Sequence, residues 1–146
     1  MERRGVRNAL CTDVFDFRGG PFDTVLMMGH GIGMVESLEG LARFLNHAKR
    51  LVPVNGKVLL DSLDVRVAAN EADLAYHQAN RDVGRYIGEI RMRFEFGELT
   101  GPYCGWLHVD PGTLEEHAAA AGWQCDVVHQ EKDGNYLSRL TLVKPQ

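Results

Sequence analysis

The chain has 146 residues, 45% of them hydrophobic and 25% charged, with a formal net charge of −4 and a pI of about 5.8. These values suit one globular domain that buries a core without staples. They exclude the basic field that draws a protein to nucleic acid or to an anionic membrane. No apolar run approaches the ~20 residues of a membrane helix, and the charged start, Met1 to Asn8, has no apolar signal core after it. Cys11, Cys104 and Cys125 show neither disulfide-ladder nor Cys-x-x-Cys spacing. The expectation is a cytoplasmic chain with reduced thiols.

In chain order, Met1 to Gly5 reads as the tail of a helix, with Arg3 and Arg4 before a terminal glycine. A strand is expected at Asn8 to Cys11, a polar loop at Thr12 and Asp13, and a turn at Arg18 to Pro21. Thr24 to Met28 is a short apolar run without alternation, the pattern of a strand buried on both faces. It runs into Gly29-His30-Gly31-Ile32-Gly33, where glycines let the backbone turn sharply and approach a ligand. The Met27-Met28 pair reads as core.

Val35 to Val52 reads as a helix with an apolar stripe of Leu38, Leu41, Leu45, Ala48 and Val52. Ser37 is its candidate cap, and Glu39 and Arg43 are spaced to pair. Lys57 to Ser62 is a second buried strand, so strand, helix and strand should form a right-handed crossover. Asn70 to Arg85 reads as a polar helix that covers a site, with Leu74 and Tyr76 to bury. Ile90 to Phe96 alternates like a half-buried antiparallel strand, and Tyr103 to Val109 is its hairpin partner across Gly97 to Pro102. Asp110-Pro111 starts a helix that ends at Gly122. Trp123 to Gln130 and Tyr136 to Val143 close the chain as a hairpin around Lys132 to Asn135.

This order resembles the class I S-adenosylmethionine-dependent methyltransferases. The resemblance rests on Cys11-Thr12-Asp13-Val14-Phe15, on Phe22-Asp23-Thr24-Val25-Leu26, and on Leu51 to Leu60, which is similar to the family's Leu-Leu-x-Pro-Gly-Gly-x-Leu-x-Leu. It implies an α/β fold: a partial Rossmann-like methyltransferase sheet, mostly parallel, with an antiparallel carboxyl-terminal hairpin. It also implies one domain over residues 1–146, with 86–109 as a hairpin insertion. In the family the strand order is 3-2-1-4-5-7-6, and the first two strands carry the Gly-x-Gly-x-Gly loop and the ribose-binding acid. Those strands should precede Val6, so the expectation is the carboxyl part of a longer or completed enzyme. A second alignment makes Gly29 to Gly33 the cofactor loop itself. Against it, Met27-Met28 stand where the family has an acid, and the remaining chain is short for six further strands.

The resemblance implies S-adenosylmethionine as cofactor and a small molecule as methyl acceptor. By the same resemblance, Asp13 would bond the adenine amino group, Val14 would pack on the ring, and Gly29 and Gly31 would lie near the methyl group. His30, at the ligand edge, is the candidate catalytic residue, since an imidazole titrates near neutral pH; a plain polar loop residue is the alternative. Tyr103, Trp106 and His108 are candidate acceptor-pocket residues, or simply hairpin core. Asp61 and Asp64 end a strand at the same edge, where they could touch substrate or simply be solvated loop acids. His108-x-Asp110 could suggest a metal site, but Asp110 already has a capping role and His47, His77, His117 and His129 show no ligand spacing, so no metal is expected. The rival to an enzyme is a non-catalytic fragment that associates through an open sheet edge, with a second copy for instance. A Rossmann-type dehydrogenase, binding NAD, has the least support.

Overall fold

A computed structural model describes residues 4–144 of the chain. Residues 1–3 of the expected helix tail lie outside the described residues. The strand expected at Asn8 to Cys11 is absent: this segment is exposed and irregular, with Leu10 at 71% exposure. Among the described residues it has no ladder neighbour, and a lone strand leaves its backbone groups to water and buries no apolar face. A tight turn follows. The Asp13 carbonyl accepts from the amides of Asp16 and Phe17, and its carboxylate accepts from Phe15 N at 2.7 Å.

Strand β1 is Thr24–Met27. Its two faces differ: Met27 enters the core, whereas Leu26 is 65% exposed. The expectation of burial on both faces is overturned because β1 is an edge strand with one face uncovered. Met28 is exposed too, so the methionine pair is split between core and solvent. The chain then makes a turn of 3-10 helix at Gly31–Val35 before helix α1, Leu38–Ala48. One continuous helix from Val35 is prevented by Glu36, whose φ of 69° breaks the helical path. Ser37 caps α1 as expected, accepting from Gly40 N. Leu41, Leu45, Ala48 and Val52 are buried, and Phe44 joins them. The expected Glu39–Arg43 pair is not among the ion pairs; the Arg43 guanidinium lies over the Phe15 ring, 3.8 Å from its centre.

Strand β2, Lys57–Leu63, pairs parallel with β1. Helix α2, Glu71–Asp82, starts with a reciprocal cap between Asn70 and Asp73. The face it buries is not the expected one. Leu74 and Tyr76 are exposed, while His77 and Asn80 are buried. The cause is a set of main-chain acceptors: Asn80 Nδ2 donates to the carbonyls of Tyr86, Ile87 and Glu89 at 3.3, 3.3 and 2.9 Å.

Strand β3, Glu89–Met92, stops before the alternating run ends. The next residues form a small separate hairpin, β4 (Glu95–Phe96) with β5 (Leu99–Thr100), and Phe96 is 84% exposed. Strand β6, Cys104–Leu107, returns antiparallel to β3 as expected, with Ile90 opposite Trp106. Helix α3, Pro111–Ala120, is capped by Asp110. Strands β7, Trp123–Gln130, and β8, Asn135–Leu142, form the closing hairpin.

The main sheet has the order β1-β2-β8-β7, with β1 and β2 parallel and the other two pairings antiparallel. A parallel pair followed by an antiparallel hairpin is the expected mixed α/β architecture. The order equals 4-5-7-6 in the resembled family. It counts against the second alignment, in which the neighbour of β2 would be a further parallel strand. The core lies between this sheet and the helices, around Phe44, Leu45, Leu60, Leu107, Leu114 and Leu140. Polar ties cross it: Trp123 Nε1 donates to the Leu45 carbonyl, Val109 N donates to Ser62 Oγ, and the Tyr136 hydroxyl donates to the Val109 carbonyl.

Candidate functional site

The carboxyl ends of β1 and β2 meet at the glycine bend. Gly29 and His30 both have left-handed backbone conformations, with φ of 71° and 55°. For a histidine this conformation is uncommon and needs outside support. The support is Asp61, whose Oδ1 accepts from His30 N at 3.1 Å. Asp61 Oδ1 is thus engaged in holding the bend. On the ring side, His30 Nε2 lies 2.9 Å from Asn135 Oδ1. The Asn135 amide is oriented by Asp133, which accepts from Asn135 Nδ2 at 2.8 Å. Asn135 Oδ1 is therefore the acceptor and His30 Nε2 the donor. The His108 ring stands edge-on to His30, with centres 5.3 Å apart. Burial, and then the neighbouring His30, push the His108 pKa below the ordinary histidine value, so His108 is neutral at neutral pH.

Beside this pair lies a charged knot. Arg66 donates to both oxygens of Asp64 at 2.8 Å and reaches Asp110 Oδ1 at 3.0 Å. Asp110 is 5% exposed. Its Oδ2 accepts from the Tyr86 and Thr113 hydroxyls at 2.6 Å each, and its Oδ1 accepts from the amides of Gly112 and Thr113. Burial alone would raise the Asp110 pKa, but the hydrogen bonds from Thr113 and Tyr86 and the charge of Arg66 hold it below the usual carboxylate range. The Arg66 hydrogen bond does the same for Asp64. A carboxyl whose folded-state pKa is depressed stabilises the fold above its unfolded pKa and ceases to do so as pH falls through the folded value. Urea unfolding is therefore expected to show stability falling from about pH 4 downward, with a shallower fall in Asp64→Asn.

Three hollows flank the bend. The first, of about 510 Å³, is roofed by Ala72, Asp73, Tyr76 and His77 of α2 and reaches His108. The second, of about 470 Å³, is mostly apolar and includes Val14, Leu26, Gly31 and Met34. The third, of about 380 Å³, holds Asp13, Phe15, Glu36 and Arg43. Val14 and Gly31 thus share a cleft, and Asp13 lies in the adjoining one across Met34. A Cβ added at Gly29 would meet nothing within 4 Å, so that side of the bend is open.

The hairpin candidates do not converge. His108 lines the first hollow. Trp106 packs behind the bend, where a Cβ on Gly33 would overlap its indole. Tyr103 is exposed in a separate groove with Glu36 and Arg91. Sequence reasoning missed His77, Arg66 and Tyr86. Only helical periodicity measured from the Asn70 cap could have placed His77 on the inward face. Among the described residues, no group of three His, Cys, Asp or Glu side chains could hold a metal ion, and no helix is long and apolar enough to cross a membrane.

No family model matches the sequence, and no curated protein sequence matches it. Solved structures do. An S-adenosylmethionine-dependent methyltransferase from Bacteroides fragilis, in complex with S-adenosyl-L-homocysteine, aligns at 31% identity and a TM-score of 0.80, covering 99% of this chain and 58% of that one. The sugar N-methyltransferase of Streptoalloteichus sp. aligns at 16% identity and a TM-score of 0.55, covering 98% and 66%. A methyltransferase of the same cofactor class from Clostridium acetobutylicum aligns at 8% identity and 0.58, covering 98% and 68%. The last two show the fold alone. The fold is that of the class I S-adenosylmethionine-dependent methyltransferases, and the solved relatives are enzymes of that class. This chain spans under three-fifths of the Bacteroides fragilis protein.

Proposed function

We propose that this chain forms the acceptor-side part of an enzyme that transfers a methyl group from S-adenosylmethionine to a small molecule, acting within a longer or completed protein. The observation that carries this is the strand order β1-β2-β8-β7 with the glycine bend at its carboxyl edge. A 31% identical relative holding S-adenosyl-L-homocysteine supports it. On this reading residues 1–146 are one domain, with 86–109 as the hairpin insertion. The reading does not require nucleic acid, a membrane or a metal, and the three free cysteines suit the cytoplasm.

The residues present fit the adenine end of the cofactor. An apolar cleft with Val14 and Gly31 adjoins the hollow that contains the Asp13 carboxylate, so a flat ring and its amino group would each find a suitable neighbour. The cofactor supplies a sulfonium-activated methyl group. The chain supplies position and exclusion of water, which suffice for an in-line displacement. Gly29 and Gly31 keep the bend clear of side chains. His30, anchored at Nε2 by Asn135 Oδ1, presents its ring at the bend as the residue that touches the acceptor. Trp106 holds the bend from behind, His108 faces the hollow beneath α2, and Tyr103 borders the outer groove.

Amide NMR titration with S-adenosyl-L-homocysteine tests this. Saturable shifts in the millimolar range are expected at Val14, Gly29 and Gly31, with no calorimetric signal at micromolar ligand. By the resemblance, the ribose and methionine contacts belong to strands outside the described sheet. Shifts elsewhere, or none, would refute the reading. The exposed Leu26 on the β1 edge favours one second reading, a non-catalytic fragment that joins another chain there. That reading predicts dimers or larger species on sizing and no ligand-induced shifts.

A further inference from the structure

The hollow beneath α2 has features that the transfer reaction as so far described does not use. At about 510 Å³ it falls within the size range of small-molecule sites. His77, on α2, lines it, is 5% exposed and has no hydrogen-bond partner among the described residues. Burying a polar atom without a partner costs free energy, and in this lining that atom is His108 Nδ1. His108, also in the lining, is half-buried, and burial holds it in the neutral form. Three carboxylates complete the polar lining: Asp64, Asp73 and Asp133.

Asp64 is neutralised by Arg66. Asp73 and Asp133 are exposed and come from different elements, α2 and the β7–β8 turn. Their hydrogen bonds come only from amides, those of Asn70 and Asn135, and neither is in an ion pair. Both therefore present a carboxyl group without a cationic partner to the same hollow. Arg91 is the one cation of the lining among the described residues, and it also borders the neighbouring groove with Glu36 and Glu89. The hollow is thus acidic at its outer residues, with two imidazoles among its inner ones.

We propose that this hollow binds the methyl acceptor, and that the acceptor is a small amine that enters as its ammonium ion and is deprotonated at His77. The proposal rests on the methyltransferase reading and names its acceptor class. The two carboxylates attract the cation. The ammonium nitrogen passes one proton to the His77 ring. Its freed lone pair forms the new N–C bond as the sulfonium S–C bond breaks, leaving a neutral thioether and a methylated ammonium. The proton leaves His77 to solvent, so one proton is released per turnover.

The test uses the whole chain with three probes of one shape: n-butylammonium chloride, n-butanol and sodium butyrate. Binding is followed by the ring carbon–proton signals of His77 and His108. Butylammonium is expected to give saturable shifts at both, with affinity about tenfold above butanol and weakened by added salt. His77→Gln should abolish the response at His108. If that variant does not fold, Asp133→Asn should lower butylammonium affinity by about threefold. Equal binding of butanol, preference for butyrate, or no shift with any probe would overturn the proposal. No sulfonium donor is present, so such a failure leaves the homocysteine titration to judge the donor reading separately.

Discussion

Asp110→Ala is expected to destabilise the fold by about 2–4 kcal/mol, from a lost helix cap of about 1 kcal/mol and about 1–3 kcal/mol for buried hydroxyls left without an acceptor. Several effects add at this residue. The substitution removes the cap of α3, leaves the Tyr86 and Thr113 hydroxyls without their acceptor, and takes from Arg66 its second carboxylate. These groups sit on the loop after β2, the start of the hairpin insertion and the start of α3. Asp110 therefore joins three segments that are remote in sequence. Since a domain of this kind has roughly 5–15 kcal/mol in total, the variant should lose a substantial part of its margin. Urea unfolding followed by circular dichroism measures it. A loss below about 1 kcal/mol, the scale of a surface pair, would show that the knot is solvated.

Gly33→Ala is expected to be the other severe change, at about 3 kcal/mol, the upper end of ordinary overpacking. The new methyl group would overlap the indole of Trp106, which is a ring and not the end of a flexible chain. Either the bend or β6 must move, and near-ultraviolet circular dichroism should report it. Trp106→Leu in the same chain should recover most of the loss, since the two positions share one contact. Simple additivity of the two substitutions would refute the contact. The third glycine of Gly29-His30-Gly31-Ile32-Gly33 is thus a packing glycine, whereas Gly29 supplies a left-handed turn.

The sequence made most elements legible where periodicity and caps agreed. Ser37, Asn70 and Asp110 all stand at or next to helix starts, and β7 begins and ends where its pattern does. The failures share a cause. Strand propensity at Asn8 to Cys11 has no ladder neighbour among the described residues, and that at Phe94 to Phe96 is met only by the small β4–β5 hairpin, whose Phe96 and Leu99 stay exposed. Propensity of that kind measures fit to a neighbouring surface and is empty without one. α2 misled for the opposite reason: its buried face is polar because it meets bare carbonyls, so hydrophobicity points away from it. At the site, glycine spacing located the bend. The knot of Asp64, Arg66, Tyr86 and Asp110 was invisible, because its members are separated by up to 46 residues and converge only after folding.

The two borders of the main sheet are unlike. Along β7 the register is interrupted between Val127 and His129, a defect that twists a border away from new neighbours. Along β1 the pairing with β2 is unbroken from Thr24 to Met27, and the far side carries no ladder among the described residues. Lengthening of this sheet is therefore one-sided. Any strand that joins it docks against Thr24 to Met27, next to the glycine bend, and would build the wall of the hollow that Val14 and Met34 leave open.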